Sequence, residues 1–212
     1  VTIVKAAVLL AVVRLFGSAE LSPAMVALVA VPPLVSIVWG NVTAMRQPSF
    51  RRMIAYSSIA HAGFLFFALL GAVEGRFQAI AFYLAAYGLM SLVAFTALPH
   101  DGEDAVDDRI DSLKGLFHRR PYAAVTLAIA MLSLAGIPPL PGFVAKFLVF
   151  RNVMAAGHTE LAVLGLVGSY LGLYFYLRVI QYMFMAAHPY GATQATLRRH
   201  AFAASLVCLV PV

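Results

Sequence analysis

The sequence predicts an all-α, polytopic integral membrane protein, a bundle of helices crossing the bilayer several times. Three observations predict it. Of 212 residues, 62% are hydrophobic and only 11% charged, where soluble domains average about 45–50% apolar and about 25% charged. The mean hydropathy is +0.89. The apolar residues fall in runs close to the ~17–25 needed to cross a hydrocarbon layer of about 30 Å. They show too little alternation for strands, and in lipid a single long segment satisfies its own backbone groups only as a helix.

Seven apolar segments can be marked, at 3–16, 23–45, 53–71, 77–98, 121–150, 161–187 and 201–212, forming one transmembrane domain over 1–212. The first and last are short. With Val1 in place of Met and Val212 inside an apolar run, the chain is expected to be a piece of a longer protein. The connections are short apart from 99–120, where six of the nine acidic residues gather. Arg46, Arg51 and Arg52, then Arg109, Lys114, Arg119 and Arg120, then Arg198 and Arg199 follow the second, fourth and sixth segments, against only Arg76 and Arg151 in the other loops. The positive-inside rule puts the first set, and with it the acidic loop 99–120, in the cytoplasm.

The net charge of +6 would suggest nucleic acid in a soluble chain. Here the cations stand singly or in pairs at the ends of apolar runs, as membrane anchors do, so the expected partner is the lipid bilayer and not nucleic acid. A lone cysteine, Cys208, leaves no internal disulfide or multi-cysteine metal site to expect. Lys5 lies among apolar residues with no small-residue cleavage site after it, which is unlike a signal peptide.

Ionisable groups inside a bilayer cost about 2.5–3.5 kcal/mol each on insertion scales, so each asks for a reason. Arg14 and Arg178 stand near segment ends and are expected to snorkel to the interface. Lys5 lies deep in the first segment if the helix continues upstream, where it could exchange protons; if Val1 is close to a chain start, it reaches the headgroups instead. His61 lies in the polar stripe Tyr56, Ser57, Ser58, Ile59, Ala60, His61 of an otherwise apolar segment. Ser57 and His61, four apart, share a helix face. Histidine can give and take a proton near neutral pH, which suits a relay; a core histidine bonded to a serine or carbonyl fits the pattern equally well.

Lys146 has the strongest local context. Gly136, Pro138, Pro139, Pro141 and Gly142 fall in the middle of the 121–150 run and must interrupt its hydrogen-bond ladder, giving a helix broken at 136–142. Irregular backbone at membrane depth is tolerated where it is packed in protein or lines a hydrated cavity, and broken helices recur at the midplane sites of transporters. A lysine one turn past the break is expected on a transport path, or, if the break only shapes packing, to snorkel. No glycine-rich phosphate loop, G-x-S-x-G, H-E-x-x-H or pair of intramembrane carboxylates is present. Tyr170, Tyr174, Phe175, Tyr176 and Tyr182, near glycines 165, 168 and 172, are expected to serve helix packing and interfacial anchoring.

Three stretches go beyond generic transporter physics: 51–64 (RRMIAYSSIAHAGF), 132–147 (LSLAGIPPLPGFVAKF) and 174–179 (YFYLRV). Together with Lys5-Ala6-Ala7, Arg14-Leu15-Phe16, Gly40-Asn41 and Gly115-Leu116-Phe117, they resemble the antiporter-like subunit N family of bacterial proton-pumping NADH-quinone oxidoreductase, respiratory complex I. The resemblance covers nearly the whole chain and implies the C-terminal half of that family: an antiporter-like fold of two inverted repeats, each with one broken helix, the second repeat being largely present here. On this resemblance Lys5, His61 and Lys146 fall on the family's mid-membrane polar axis, which is proposed to pass protons or charge.

The resemblance also implies a bacterial inner membrane, neighbouring antiporter-like and other membrane subunits as partners, and a part in proton translocation by an H+-translocating NADH:quinone oxidoreductase. Quinone, NADH, FMN and iron–sulfur clusters are expected on other subunits, with no cofactor, metal or redox site on this chain. Two departures from the family pattern stand out: Pro139 and Pro141 make the break richer in proline, and Ala145 replaces a common glycine. Rivals are a subunit of a multisubunit cation/proton antiporter or membrane-bound hydrogenase, and a truncated, non-conducting structural component.

Overall fold

Serine and proline punctuate the first helices. Ser22 accepts the amide of Met25 through its hydroxyl, and Pro23 occupies the first helical position of α1, Pro23–Met45, where its missing N–H is lost at no cost. The hydroxyl of Ser49 accepts the Arg52 amide at 3.2 Å and starts α2, Phe50–Phe67. A computed structural model of the chain describes Val8, Ala11 and residues 22–99 and 108–185. A 3-10 turn, Ala68–Leu70, extends α2, and α3 covers Val73–Thr96. A second 3-10 turn, Ile110–Leu113, precedes the short α4, Leu116–Arg119, then α5, Pro121–Ala135, α6, Pro141–Ala155, and α7, Thr159–Phe184.

Among the described residues four helical stretches are long and apolar enough to cross a membrane, at 24–45, 50–70, 73–96 and 159–184. The chain is thus a multi-pass membrane protein with an all-helical core. The segments expected at 3–16 and 201–212 lie outside the described residues, as does 100–107 of the acidic loop. Helices α2 and α3 begin ahead of the apolar runs that mark them; for α2 the Ser49 cap, not the apolar residues, sets the start. The stretch 99–120 is not all loop, since it carries the turn Ile110–Leu113 and α4.

The two ends of the bundle are tied differently. At one end the chain after 107 folds onto the turn between α1 and α2. The Phe50 amide donates to the Asp108 carbonyl at 2.6 Å and the Ile110 amide to the Pro48 carbonyl at 2.8 Å. The Asp108 carboxylate accepts the Arg51 amide and the Ser49 hydroxyl, completing the cap of α2 from a distant part of the chain. Arg178, expected as an interfacial anchor, donates to the Met45 carbonyl at the end of α1 at 3.4 Å.

At the other end Asn152 of α6 holds the α2–α3 turn. Its amide side chain donates to the Ala72 carbonyl at 3.0 Å and its own carbonyl accepts the Ala72 amide at 3.1 Å. Arg76 is buried beside it, with Nε and Nη2 both donating to the Gly71 carbonyl. Truncation by Asn152→Ala removes this side-chain bond and leaves the Ala72 carbonyl only the Arg76 amide at 3.1 Å, a cost of about 0.5–1.5 kcal/mol. The expected outcome is a lower thermal unfolding midpoint in detergent with helix content at room temperature unchanged; an unchanged midpoint would show that the side-chain bond contributes nothing.

Between these ends α1 packs along α2 and α7, and α3 packs on α5 and α6. Tyr83, Tyr176, Phe50, Phe67 and Phe175 are the largest fully buried side chains, while Leu28, Trp39, Phe77, Leu92 and Tyr170 point outward. Lipid tails are as apolar as these side chains, so helix association rests on close packing and interhelical hydrogen bonds. Asn41 of α1 supplies one, its side chain donating to the Gly168 carbonyl of α7 at 3.0 Å.

Candidate functional site at the broken helix

The break is built by a glycine at one end and a proline at the other. Gly136 has φ 87°, a left-handed conformation that costs glycine little. Its amide bonds the Ser133 carbonyl and the next amide, of Ile137, bonds the Leu132 carbonyl at 3.1 Å, the paired closure of a Schellman motif that ends α5. Pro138 and Pro139 follow in the linker, joined by a cis peptide bond, and Pro141 opens α6 at its first position. The non-helical stretch is therefore 136–140, shorter than the expected 136–142, because Pro141 and Gly142 belong to the first turn of α6. Gly142 lies so close to α5 that a Cβ there would overlap the Ser133 carbonyl. Its amide donates to the Ser133 hydroxyl at 3.0 Å, satisfying one of the donors a helix start leaves open.

Lys146 sits one turn into α6 and folds back over the break. It is buried at 8% exposure, and its Nζ donates to the Ala135 carbonyl at 2.8 Å. That carbonyl belongs to the last turn of α5, the helix end whose open carbonyls attract cations. The amine also lies 5.3 Å from the centre of the Phe64 ring. Lys146 thus neither snorkels nor pairs with a carboxylate in any ion pair of the described residues.

His61 of α2 is buried, and both ring nitrogens are engaged: Nδ1 with the Tyr83 hydroxyl of α3 at 2.9 Å and Nε2 with the Tyr176 hydroxyl of α7 at 3.0 Å. The Tyr87 ring lies 4.5 Å from the imidazole, centre to centre, and Phe64 is 6.3 Å away. Phe64 therefore touches the surroundings of both ionisable groups. A cavity of about 10 Å³ lies beside His61, lined by His61, Tyr83, Tyr87, Ser133, Gly142 and Ala145 among others. That is about the space one water requires.

Not every expected residue converges here. Ser57 is buried, donates to the Ile54 carbonyl at 2.8 Å and stands one turn before His61 on the same face of α2. Ser58 donates to the Ala55 carbonyl at 2.6 Å. Tyr56 is half-buried, with its backbone carbonyl close to Gly40 of α1, on another face of α2. Lys5 lies outside the described residues. No group of three or more histidine, cysteine, aspartate or glutamate side chains that could hold a metal gathers among the described residues.

Residues 1–172 match the family described as the transmembrane part of NADH:quinone oxidoreductase/Mrp antiporters. The chain belongs to that family. NADH-quinone oxidoreductase subunit N of Pelobacter propionicus is 47% identical over 186 residues, 86% of this chain and 39% of the relative. The subunit of the same name from Geobacter metallireducens is 45% identical over 71% of this chain and 32% of its own length. The chain thus spans roughly two-fifths or less of these relatives. Among solved structures, a chain of respiratory complex I from Thermus thermophilus superposes with a TM-score of 0.71 at 36% identity, covering 86% of this chain and 41% of that one. An archaeal membrane-bound sulfane sulfur reductase superposes with a TM-score of 0.82 over 95% of this chain and 42% of its own chain, at 21% identity, and so shares the fold.

For a member of the antiporter family, the residues that sequence reasoning missed are as telling as those it found. Tyr83 and Tyr87 stand four apart in α3 and so share a face, a signal readable in the sequence but passed over. Tyr176, expected in packing and anchoring, is fully buried and holds His61. Ser133 left no signal, because its role depends on α6 returning against α5.

Proposed function

We propose that the chain is an antiporter-like membrane subunit of a bacterial NADH-quinone oxidoreductase, placed in the plasma membrane, and that it contributes to proton translocation coupled to electron transfer from NADH to quinone. The one observation that carries this is Lys146, an amine buried at a broken membrane helix and hydrogen-bonded only to an open helix-end carbonyl among the bonds found for it. An intramembrane ionisable group in that setting marks an ion or proton route. Lys5, His61 and Lys146 are the proton-path residues. Ser57 and Ser58 support His61, and Gly136, Pro138, Pro139, Pro141 and Gly142 form the hinge; Tyr56 belongs to the polar stripe without touching the site. Other membrane subunits are the partners, and flavin, iron–sulfur clusters and quinone belong to them. Relatives named NADH-quinone oxidoreductase subunit N at 38–47% identity favour this over a cation/proton antiporter, since an Mrp complex chain is 24% identical.

His61→Ala tests the assignment in native membrane vesicles. The expected outcome is normal assembly with proton uptake per NADH oxidised clearly reduced. Uptake equal to that of the unmodified complex would assign His61 to packing alone.

A further inference from the structure

We propose that Phe64 is a positioning residue of the proton path: the face of its ring holds the charged amine of Lys146 against the open end of α5. This rests on the proton-path role of Lys146. A buried ammonium needs partners of negative character. One is the Ala135 carbonyl, 2.8 Å from Nζ. The described carboxylates, Glu74, Asp108, Asp111 and Glu160, supply no other, since no ion pair among the described residues includes Lys146. The Phe64 ring is the second partner. Its centre lies 5.3 Å from Nζ, within the ~6 Å over which an aromatic face attracts a cation.

Both the amine and the ring are held in place. The lysine stem crosses Gly136, where an added Cβ would stand 3.0 Å from Cδ and 3.1 Å from Nζ, so a residue without a side chain lets the amine lie back over the break. Phe64 is buried and packs edge-on against Phe150 of α6, centres 6.0 Å apart at 88°, and against Tyr83 of α3 at 6.3 Å. Phe150 follows Lys146 by four positions and so shares its face of α6. That one face presents both the cation and an aromatic contact to the same ring. His61, three positions before Phe64 on α2, has its ring centre 6.3 Å away. The titratable groups around the ring are therefore His61 of α2, Tyr83 of α3 and Lys146 of α6. The attraction belongs to the charged amine, because a neutral one gives the ring quadrupole no charge to hold. Phe64 thus draws Lys146 to the α5 carbonyl while it carries the proton and loosens its hold when the proton leaves.

The test uses the full complex in native membranes, with phenylalanine carrying one, two or three ring fluorines at position 64. Fluorine withdraws charge from the ring face and changes the ring's size little, so the packing is kept while the hold on the cation weakens in steps. The rate of proton uptake is expected to fall with each fluorine added, a response that ring packing alone would not give. Phe64→Leu, which has no ring, is expected to lose about tenfold, the scale of a desolvated cation–π contact. If Phe64→Leu does not assemble, the fluorinated rings decide alone. Uptake that does not follow the number of fluorines, or full uptake in an assembled Phe64→Leu, while Lys146→Ala is inactive, would overturn the proposal and leave the proton-path role of Lys146 standing. Full uptake in Lys146→Ala would remove both.

Discussion

Lys146→Ala is expected to abolish most proton uptake while leaving the subunit assembled in the membrane. The amine makes one hydrogen bond to the Ala135 carbonyl and faces the Phe64 ring. Removing it deletes an ionisable group but leaves no charge stranded, because no carboxylate is paired with it among the ion pairs of the described residues. The carbonyl it leaves lies at the open end of α5, where a water in the space the side chain vacates can replace the bond. Structural cost is therefore small and functional cost large: loss of a positioned proton donor and acceptor typically costs about 10²–10⁴-fold. Lys146→Arg is expected to fail as well, since guanidinium does not give up its proton in proteins. A dye-quench measurement of proton uptake, with quinone reduction by NADH followed in parallel, checks both variants. Uptake within about twofold of the unmodified complex in Lys146→Arg would show that only a fixed charge is needed.

Gly142→Val is expected to have the opposite signature, loss of the assembled protein. A Cβ at this position meets the carbonyl oxygen and carbon of Ser133. Both are backbone, so neither can swing aside, and the amide bond to the Ser133 hydroxyl is lost as α6 is pushed off α5. Overpacking costs about 1–3 kcal/mol and occasionally more. In a bilayer there is little hydrophobic force between helices to absorb it, because association depends on close packing. The amount of complex in membranes, read on a native gel, should fall sharply for Gly142→Val and stay normal for Val144→Ala, whose side chain points outward two residues further on. Normal assembly of Gly142→Val would mean that α5 and α6 are not held this close in the membrane.

Much of this was legible from residue types alone. Apolar run length places α1, because Ser22 and Pro23 mark its start and Arg46, Gln47 and Pro48 follow its end. Gly136 with Pro138 and Pro139 marks the break. Proline by itself does not: Pro32 and Pro33 lie inside α1, which continues through them, as membrane helices allow when neighbours accommodate the freed groups. The break needs Gly136, whose left-handed backbone turns the chain. Ser57 beside His61 follows from helical spacing.

The rest depends on tertiary pairing. His61 and Tyr176 are 115 positions apart, and a tyrosine in an apolar segment is ordinarily an interfacial anchor, so nothing local singles out Tyr176. The hold of Asn152 on the α2–α3 turn, and the trans cap that Asp108 places on α2, are contacts of the same kind. Tyr56 is a weaker inference from the same stripe: it precedes Ser57 by one residue, which turns a helix position by about 100°.

The central claim is that His61 and Lys146 act on one proton path, and the double variant His61→Ala/Lys146→Ala tests it most directly. Groups that serve a single route are non-additive, so removing the second adds little once the first is gone. Protons taken up per NADH oxidised should be no lower in the double variant than in the worse single one. Independent losses that multiply in the double variant, or single variants that pump as well as the unmodified complex, would contradict a shared path.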